Sequence, residues 1–316
     1  MEQLFDLKKR IKSVTEIGKI TTAMQLVSAA KTRKSKARLE DVFPFFTLCV
    51  ESMIELRKHN KNIENPYFQL RKKKPGEVWR IGYFILTGDQ GLAGAYNHNV
   101  IRLAEEHIRE KKEDNDKKGL NTEFTLYVFG SVGREKLLND GYTIDPDFSY
   151  PITSPTYHNA RNVADIIRDK YVSEELDLVY MVYTKMESAI QMKPIVSRIV
   201  PVDVRALEDM LPYSHSEEAG MASSSNSELQ YFPDADSVFA FLVDTYLNAI
   251  LYGALVEAFA GEQTARMTAM DNAARNADDM LEKLLLINNR ARQERITKEL
   301  IEIVNGAESI QMESGG

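Results

Sequence analysis

The sequence predicts an architecture of α/β plus long helices: an antiparallel coiled coil of the N- and C-terminal helices, with a central Rossmann-like α/β domain between them. Three observations predict it. Both ends of the chain carry apolar residues at three- and four-residue steps with almost no Gly or Pro, the middle switches to β-branched and aromatic runs, and helical patterns separate those runs.

The first element runs from Leu4 to about residue 58, broken only by Gly18 and Pro44. Its stripe reads Leu4, Leu7, Ile11, Val14, Ile17, Thr21, Met24, Ser28, the spacing of one helix face. A helix of that length would be roughly 80 Å long and needs a partner beside it, since propensity alone does not hold an exposed helix together. The partner lies at the other end. From about Asp236 to Asn305 there is no proline, and Met267, Met270, Ala274, Ala277, Leu281, Leu284, Asn288 and Ala291 repeat in strict three-four steps, a coiled-coil seam. Ala23, Ala29, Ala30, Ala274, Ala277 and Ala291 are small enough to let two backbones approach closely. With a compact domain between them in sequence, the two segments are expected to pair antiparallel.

In the middle, Val78–Thr87, Glu123–Phe129 and Leu176–Thr184 read as strands, and Pro194–Val204 as a weaker fourth interrupted by Pro201. Helical patterns at about Tyr96–Glu110, Val132–Asn139 and Thr156–Tyr171 alternate with them, which implies a mostly parallel sheet covered by helices. The polar run Lys111–Gly119 reads as an exposed loop, and the Ser- and Glu-rich Ser214–Glu228 as a linker or insertion. The resulting division is an N-terminal shaft helix over 1–60, a central domain over 76–205, a linker over 206–233, a C-terminal shaft helix over 234–306 and a tail over 307–316.

A chain of 316 residues, 43% hydrophobic and 28% charged, has the composition of a folded protein rather than a disordered one. The longest apolar stretch, Ala249–Gly261, is shorter than a membrane span and contains Glu257. Cys49 is the only cysteine, so an internal disulfide and a thiolate metal cluster are both excluded. The net charge of −7 hides an asymmetry: residues 1–40 hold ten Lys/Arg against four acids, a net +6 that calls for an acidic partner or is simply a solvated helix face.

Tests for chemistry come out weak. The glycine-rich passage Thr87-Gly88-Asp89-Gln90-Gly91-Leu92-Ala93-Gly94 stands between a strand and a helix, where a phosphate loop would sit, but its glycine spacing fits neither G-x-G-x-x-G nor the Walker pattern. Glycines permitting a tight turn are the plainer reading. His59, His98, His107, His158 and His215 are scattered without metal-ligand spacing, and no nucleophile elbow is present. No catalytic residue, cofactor site or metal site is therefore expected. A nucleotide-dependent enzyme with a helical hairpin, and a coiled-coil scaffold or basic nucleic-acid binder using Lys31–Arg38, stay open as rivals to a mechanical or interaction protein.

Six stretches, in three regions of the chain, carry a resemblance to a known family. They are Ile11–Val14 with Lys19–Lys31 near the start, Gly91–Asn97 in the middle, and Glu262–Ala273, Asn289–Gln293 and Ile296–Ala307 near the end. Together they resemble the gamma subunit of F-type ATP synthases over nearly the whole chain except about 111–122 and 214–230. The resemblance implies a rotor, or central stalk, that transmits torque between the membrane c-ring and a catalytic hexamer of alpha and beta subunits, coupling proton or other ion transport to ATP synthesis or hydrolysis. It implies contact with the epsilon subunit, no nucleic acid, no cofactor and no catalytic site of its own. A sequence that starts directly at the shaft helix favours a bacterial plasma membrane location, peripheral and on the cytoplasmic side, over an imported precursor. By the same resemblance the rotor–stator contacts are Met24, Arg266, Arg292, Gln293, Thr297 and Glu299. Met24 would pass an acidic beta-subunit loop, Arg266 would serve coupling, and Arg292 and Gln293 would hydrogen-bond an acidic catch loop of beta. The sequence departs from the family at Glu294-Arg295, where more apolar residues are usual, and lacks the paired-cysteine insert of the chloroplast type.

Overall fold

A computed structural model describes residues 2–60, 65–152, 155–188, 191–203, 231–232 and 234–314. The expected 206–233 linker, including Ser214–Glu228, lies outside the described residues apart from 231 and 232. The elements in order are α1 (Glu2–His59), a short 3-10 turn (Pro66–Phe68), β1 (Val78–Leu86), α2 (Tyr96–Lys117), β2 (Asn121–Phe129), α3 (Ser131–Asn139), α4 (Tyr157–Val172), β3 (Leu178–Met186), β4 (Met192–Val200) and α5 (Ala235–Ser314). The chain divides into two compact units, Ala29–Ala265 and a second made of Met1–Ser28 with Arg266–Gly316.

In the Ala29–Ala265 unit the sheet order is β2-β1-β3-β4. β1 pairs in parallel with both β2 and β3, and β4 closes the edge antiparallel to β3. β1 is covered on both faces, which explains why Val78–Leu86 is a nearly continuous apolar run rather than an alternating one. The period of two still sorts its side chains. Trp79, Ile81, Tyr83 and Ile85 pack with Val100, Ile101, Ala104 and Ile108 of α2 and Leu137 of α3, while Phe84 and Leu86 pack with α4, α5 and the lower part of α1. Thr156 caps α4 by accepting the Asn159 N–H at 3.2 Å.

The segment that leads into β1 is fastened to the start of β3 by one buried carboxylate. Asp177, 1% exposed, meets Arg71 at 3.1 Å and Lys73 at 2.9 Å, and accepts the backbone N–H of Arg80 at 3.0 Å. Arg71 also donates to the carbonyls of Leu176 and Tyr171 and lies over the Tyr171 ring. The buried charge is thereby paired and its lone pairs are occupied.

Two expectations change here. Lys111–Gly119, expected as a loop, is helical as far as Lys117. The run holds no Gly or Pro before Gly119, whose φ of +70° makes it the stop, and Lys118 and Gly119 donate back to the carbonyls of Asn115 and Asp116. The weak fourth strand ends at Val200, one residue before the Pro201 that was expected to interrupt it.

The second unit is a pair of helical segments. Leu7, Ile11 and Val14 of α1 pack against Ala277, Leu281 and Leu284 of α5. Gln25 Nε2 donates to Asp271 Oδ1 at 3.2 Å, and a Cβ on Gly18 would lie 3.6 Å from the Ala277 Cβ. As the number rises on α1 it falls on α5, so the two run antiparallel. Every α5 position of the expected seam is buried or half-buried, but α1 differs. Ile17 is 52% exposed, and Gly18 and Gln25 take seam places, giving 7, 11, 14, 18, 21, 25, 28 in strict heptad steps. The apolar stripe favoured Ile17, whereas close approach of two backbones selects the residue without a side chain. Ala23 and Ala30 are likewise exposed, not in the seam. α5 continues as helix to Ser314, over most of the residues expected as a tail.

Candidate functional site

The six residues expected to touch a surrounding partner all sit on the long helices, in two groups. Met24 is half-buried on α1 beside the Gln25–Asp271 hydrogen bond, and Arg266 is 5% exposed on α5. The register of the pair puts them within about two helical turns of one another along the axis. Arg292, Gln293, Thr297 and Glu299 are all exposed, about 40 Å further along α5 from Arg266.

The distal four do not form one cluster. Gln293 and Thr297, one turn apart, share an open groove with Arg290, Glu294, Lys298 and Ile301. Arg292 and Glu299 fall on the neighbouring face, where Glu299 is engaged by Arg295 at 2.9 Å. That ion pair is exposed on both sides, so it is worth about 0–1 kcal/mol and leaves Glu299 available to another cation. Arg295 thus orients Glu299. Around these polar groups Ile296, Leu300, Ile301, Ile303 and Val304 are exposed by 44 to 68%, an apolar surface on a single helix. Continuing the register of the pair, α1 begins level with about Gln293, so among the described residues none of α1 stands opposite α5 beyond that point.

The glycine-rich passage occupies the β1–α2 connection of the Ala29–Ala265 unit, at the carboxyl ends of β1 and β3, where the strand order reverses. Several of its groups bond within the protein. Gly88 N–H donates to Asn97 Oδ1 at 2.8 Å, and Asp89 accepts the N–H of Ser131 and of Ile152 with its two carboxylate oxygens. Thr87 Oγ1 donates to the Phe129 carbonyl and accepts the N–H of Gly133. Glu262 of α5 presses on the same loop: a Cβ on Gly88 would stand 2.8 Å from its carboxylate carbon. These interactions tie the turn to α2, α3 and α5, as the plainer reading of its glycines expects. Among the described residues no group of three or more His, Cys, Asp or Glu side chains is arranged to hold a metal ion.

Glu262-Gln263-Thr264 carries the family resemblance, and no periodicity or motif gives it a structural task. All three side chains are buried, at 4%, 3% and 1% exposure, immediately after an apolar run of the same helix. Thr264 Oγ1 lies 3.4 Å from that of Thr32 on α1 and donates to the Ala260 carbonyl. A run of three polar residues directly following a dozen mostly apolar ones was the available signal. Nearby, burial raises the Glu257 carboxyl to about 7 against the opposing pull of Lys185 and a hydrogen bond from Tyr183. On the other face of the sheet, burial and then Lys111 lower His107 to about 4, and its Nδ1 lies 2.7 Å from the Tyr83 hydroxyl. α5 contains an 18-residue window apolar enough for a membrane span, with mean hydropathy 1.6, but half of it is buried within the protein. Leu247, Leu251, Leu255 and Val256 of this helix belong to the core against the sheet.

A family model described as ATP synthase matches residues 3–310. The ATP synthase gamma chain of Acetivibrio thermocellus is 38% identical over 311 residues, covering 98% of this chain and 100% of its own. The sodium-ion-specific ATP synthase gamma chain of Acetobacterium woodii is 35% identical over 98% of this chain and 99% of its own. Among solved structures, the cryo-EM central stalk and c-ring of the Tetrahymena thermophila mitochondrial ATP synthase aligns with a TM-score of 0.53 at 21% identity, over 80% of this chain and 99% of the other. The rotor of the Euglena gracilis mitochondrial enzyme in rotational state 1 aligns at 0.54 and 14%, over 93% and 99%. At those identities the likeness speaks for the fold, a sheet between long terminal helices, while the sequence matches speak for descent. The antiparallel seam, the loop joined to α5 and the match along almost the full length agree: this chain belongs to the ATP synthase gamma-chain family.

Proposed function

We propose that the chain is the torque-transmitting central rotor of an F-type ATP synthase. It lies on the cytoplasmic side of a bacterial plasma membrane and is peripheral to it, and it is a non-catalytic subunit of an ion-translocating complex. The observation that carries this reading is the antiparallel helix pair, whose heptad seam makes two slender helices into one stiff element. A single helix twists under load, but two helices locked by Val14, Ala277 and Leu284 resist it together.

In this reading residues 1–60 and 234–306 are shaft helices and 76–205 is the domain that grips neighbours. Alpha and beta subunits surround the shaft, and the epsilon subunit and membrane c-ring lie against the domain. The relatives described as central stalk, rotor and c-ring assemblies support that placement. Met24, Arg266, Arg292, Gln293, Thr297 and Glu299 serve as rotor–stator contacts. The exposed donors of Arg292 and Gln293 suit bonds that form and break each turn, because charge-assisted pairs are strong yet reversible in water. The exposed apolar residues beyond Ile296 supply a bearing surface.

Co-purification tests the reading. A tagged chain expressed from its own chromosome should bring down alpha and beta subunits in severalfold molar excess over itself, together with epsilon. Recovery of the chain alone, or with nucleic acid instead, would refute it.

A further inference from the structure

We propose that Ala258–Glu262 of α5 is a torsional clamp fixing that helix to the sheet, with Glu262 as its positioning residue. This inference rests on the rotor reading and adds where, within the Ala29–Ala265 unit, torque passes between sheet and helix. Three contacts converge on five residues. The buried Tyr96 hydroxyl at the start of α2 donates to the Ala258 carbonyl at 2.8 Å. At Gly261 the backbone lies so close to the end of β3 that a Cβ would meet Thr184 Cγ2 at 3.2 Å and Tyr96 Cε2 at 3.5 Å. The Glu262 side chain, 4% exposed, fills the space where a Gly88 Cβ would be, at 2.8 Å from both its carboxylate carbon and Oε1.

What Glu262 presses on cannot yield easily. Gly88 is bonded through its N–H to Asn97 of α2, and its carbonyl accepts the N–H of Val132 in α3. Apolar packing holds a helix on a sheet without setting a bond direction. A wedged side chain and a directional hydrogen bond resist sliding of that helix.

The test uses the assembled complex in vesicles and measures ATP-driven ion pumping per ATP hydrolysed. Glu262→Ala should lower that ratio by about threefold or more while hydrolysis persists, and Glu262→Gln, which keeps the shape, should restore it. Tyr96→Phe, which removes a single hydroxyl, should lower it by about twofold, and the double variant should fall less than the two effects multiplied, because both act on one clamp. A ratio like the wild type's in Glu262→Ala overturns the clamp, as does a fall in Glu262→Gln as deep as in Glu262→Ala. If Glu262→Ala does not assemble, Tyr96→Phe decides alone: an unchanged ratio overturns the inference. A wild-type complex that hydrolyses ATP without any pumping overturns the rotor reading itself.

Discussion

Gly18 and Ile17 offer opposite predictions for neighbouring residues of α1. A Cβ at Gly18 would sit 3.6 Å from the Ala277 Cβ, ordinary van der Waals contact, so Gly18→Ala fits without movement. It also removes the conformational freedom of a helical glycine, and should stabilise the chain by about 0.5–1 kcal/mol. Gly18→Leu carries three further carbons into a seam already in contact, and overpacking of that kind costs about 1–3 kcal/mol, more than the propensity gain offsets. Ile17 is 52% exposed, so Ile17→Ala should lose less than about 1 kcal/mol. Were Ile17 in the seam, as its apolar character suggests, the same change would cost about 2–4 kcal/mol. Urea unfolding of the purified variants, followed by far-UV ellipticity, separates the cases. A Leu variant as stable as the Ala variant, or an Ile17→Ala variant losing more than about 2 kcal/mol, would refute the assigned register.

Three further outcomes follow from the same geometry. Asp177→Ala strips the carboxylate from Arg71 and Lys73 and should destabilise the chain by about 3–5 kcal/mol in the same urea assay, since breaking a buried pair strands its cations; a loss under about 1 kcal/mol would contradict the network. Glu257 is raised to about 7 in the folded chain, so the stability that its protonated form supports is present below about pH 4.5 and is lost as pH rises to about 7. Glu257→Gln should therefore be more stable than the wild type at pH 8, by on the order of 2–3 kcal/mol, with the gap closing at pH 5; a gap independent of pH would contradict the assignment. Met24→Lys should reduce ion pumping per ATP in the assembled complex while hydrolysis stays substantial, because a cation at this half-buried place on the shaft would hold acidic beta-subunit residues too long; an unchanged ratio refutes it.

How much of this was legible in the sequence depended on whether a feature is local. The α5 seam was readable position by position because Met270, Ala277 and Leu284 repeat at heptad spacing within one helix. The strands were readable because β1 is apolar on both faces. The α1 seam was misread at Ile17 because periodicity weighs hydrophobicity, whereas the helix pair weighs volume. The end of α2 was misread because a polar run without Gly or Pro is compatible with a solvated helix as well as a loop, and only Gly119 at φ +70° marks the stop. The six contact residues were reachable only through resemblance. Their division into two helix faces, and the Arg295–Glu299 pair, follow from helical geometry once the helix is known to be continuous there. The clamp at Glu262 was not readable at all, since it joins residues near 88, 96, 184 and 262 that only the tertiary fold brings together.

Rotation itself is the most direct measurement. Cys49 is the only cysteine and is buried, with burial pushing its thiol up to about 11, so Lys112→Cys on the exposed part of α2 offers a single site for a bead. With the alpha and beta subunits fixed to a surface and ATP supplied, the bead should turn continuously in one direction. A complex that hydrolyses ATP while the bead stays still would contradict the account at its centre.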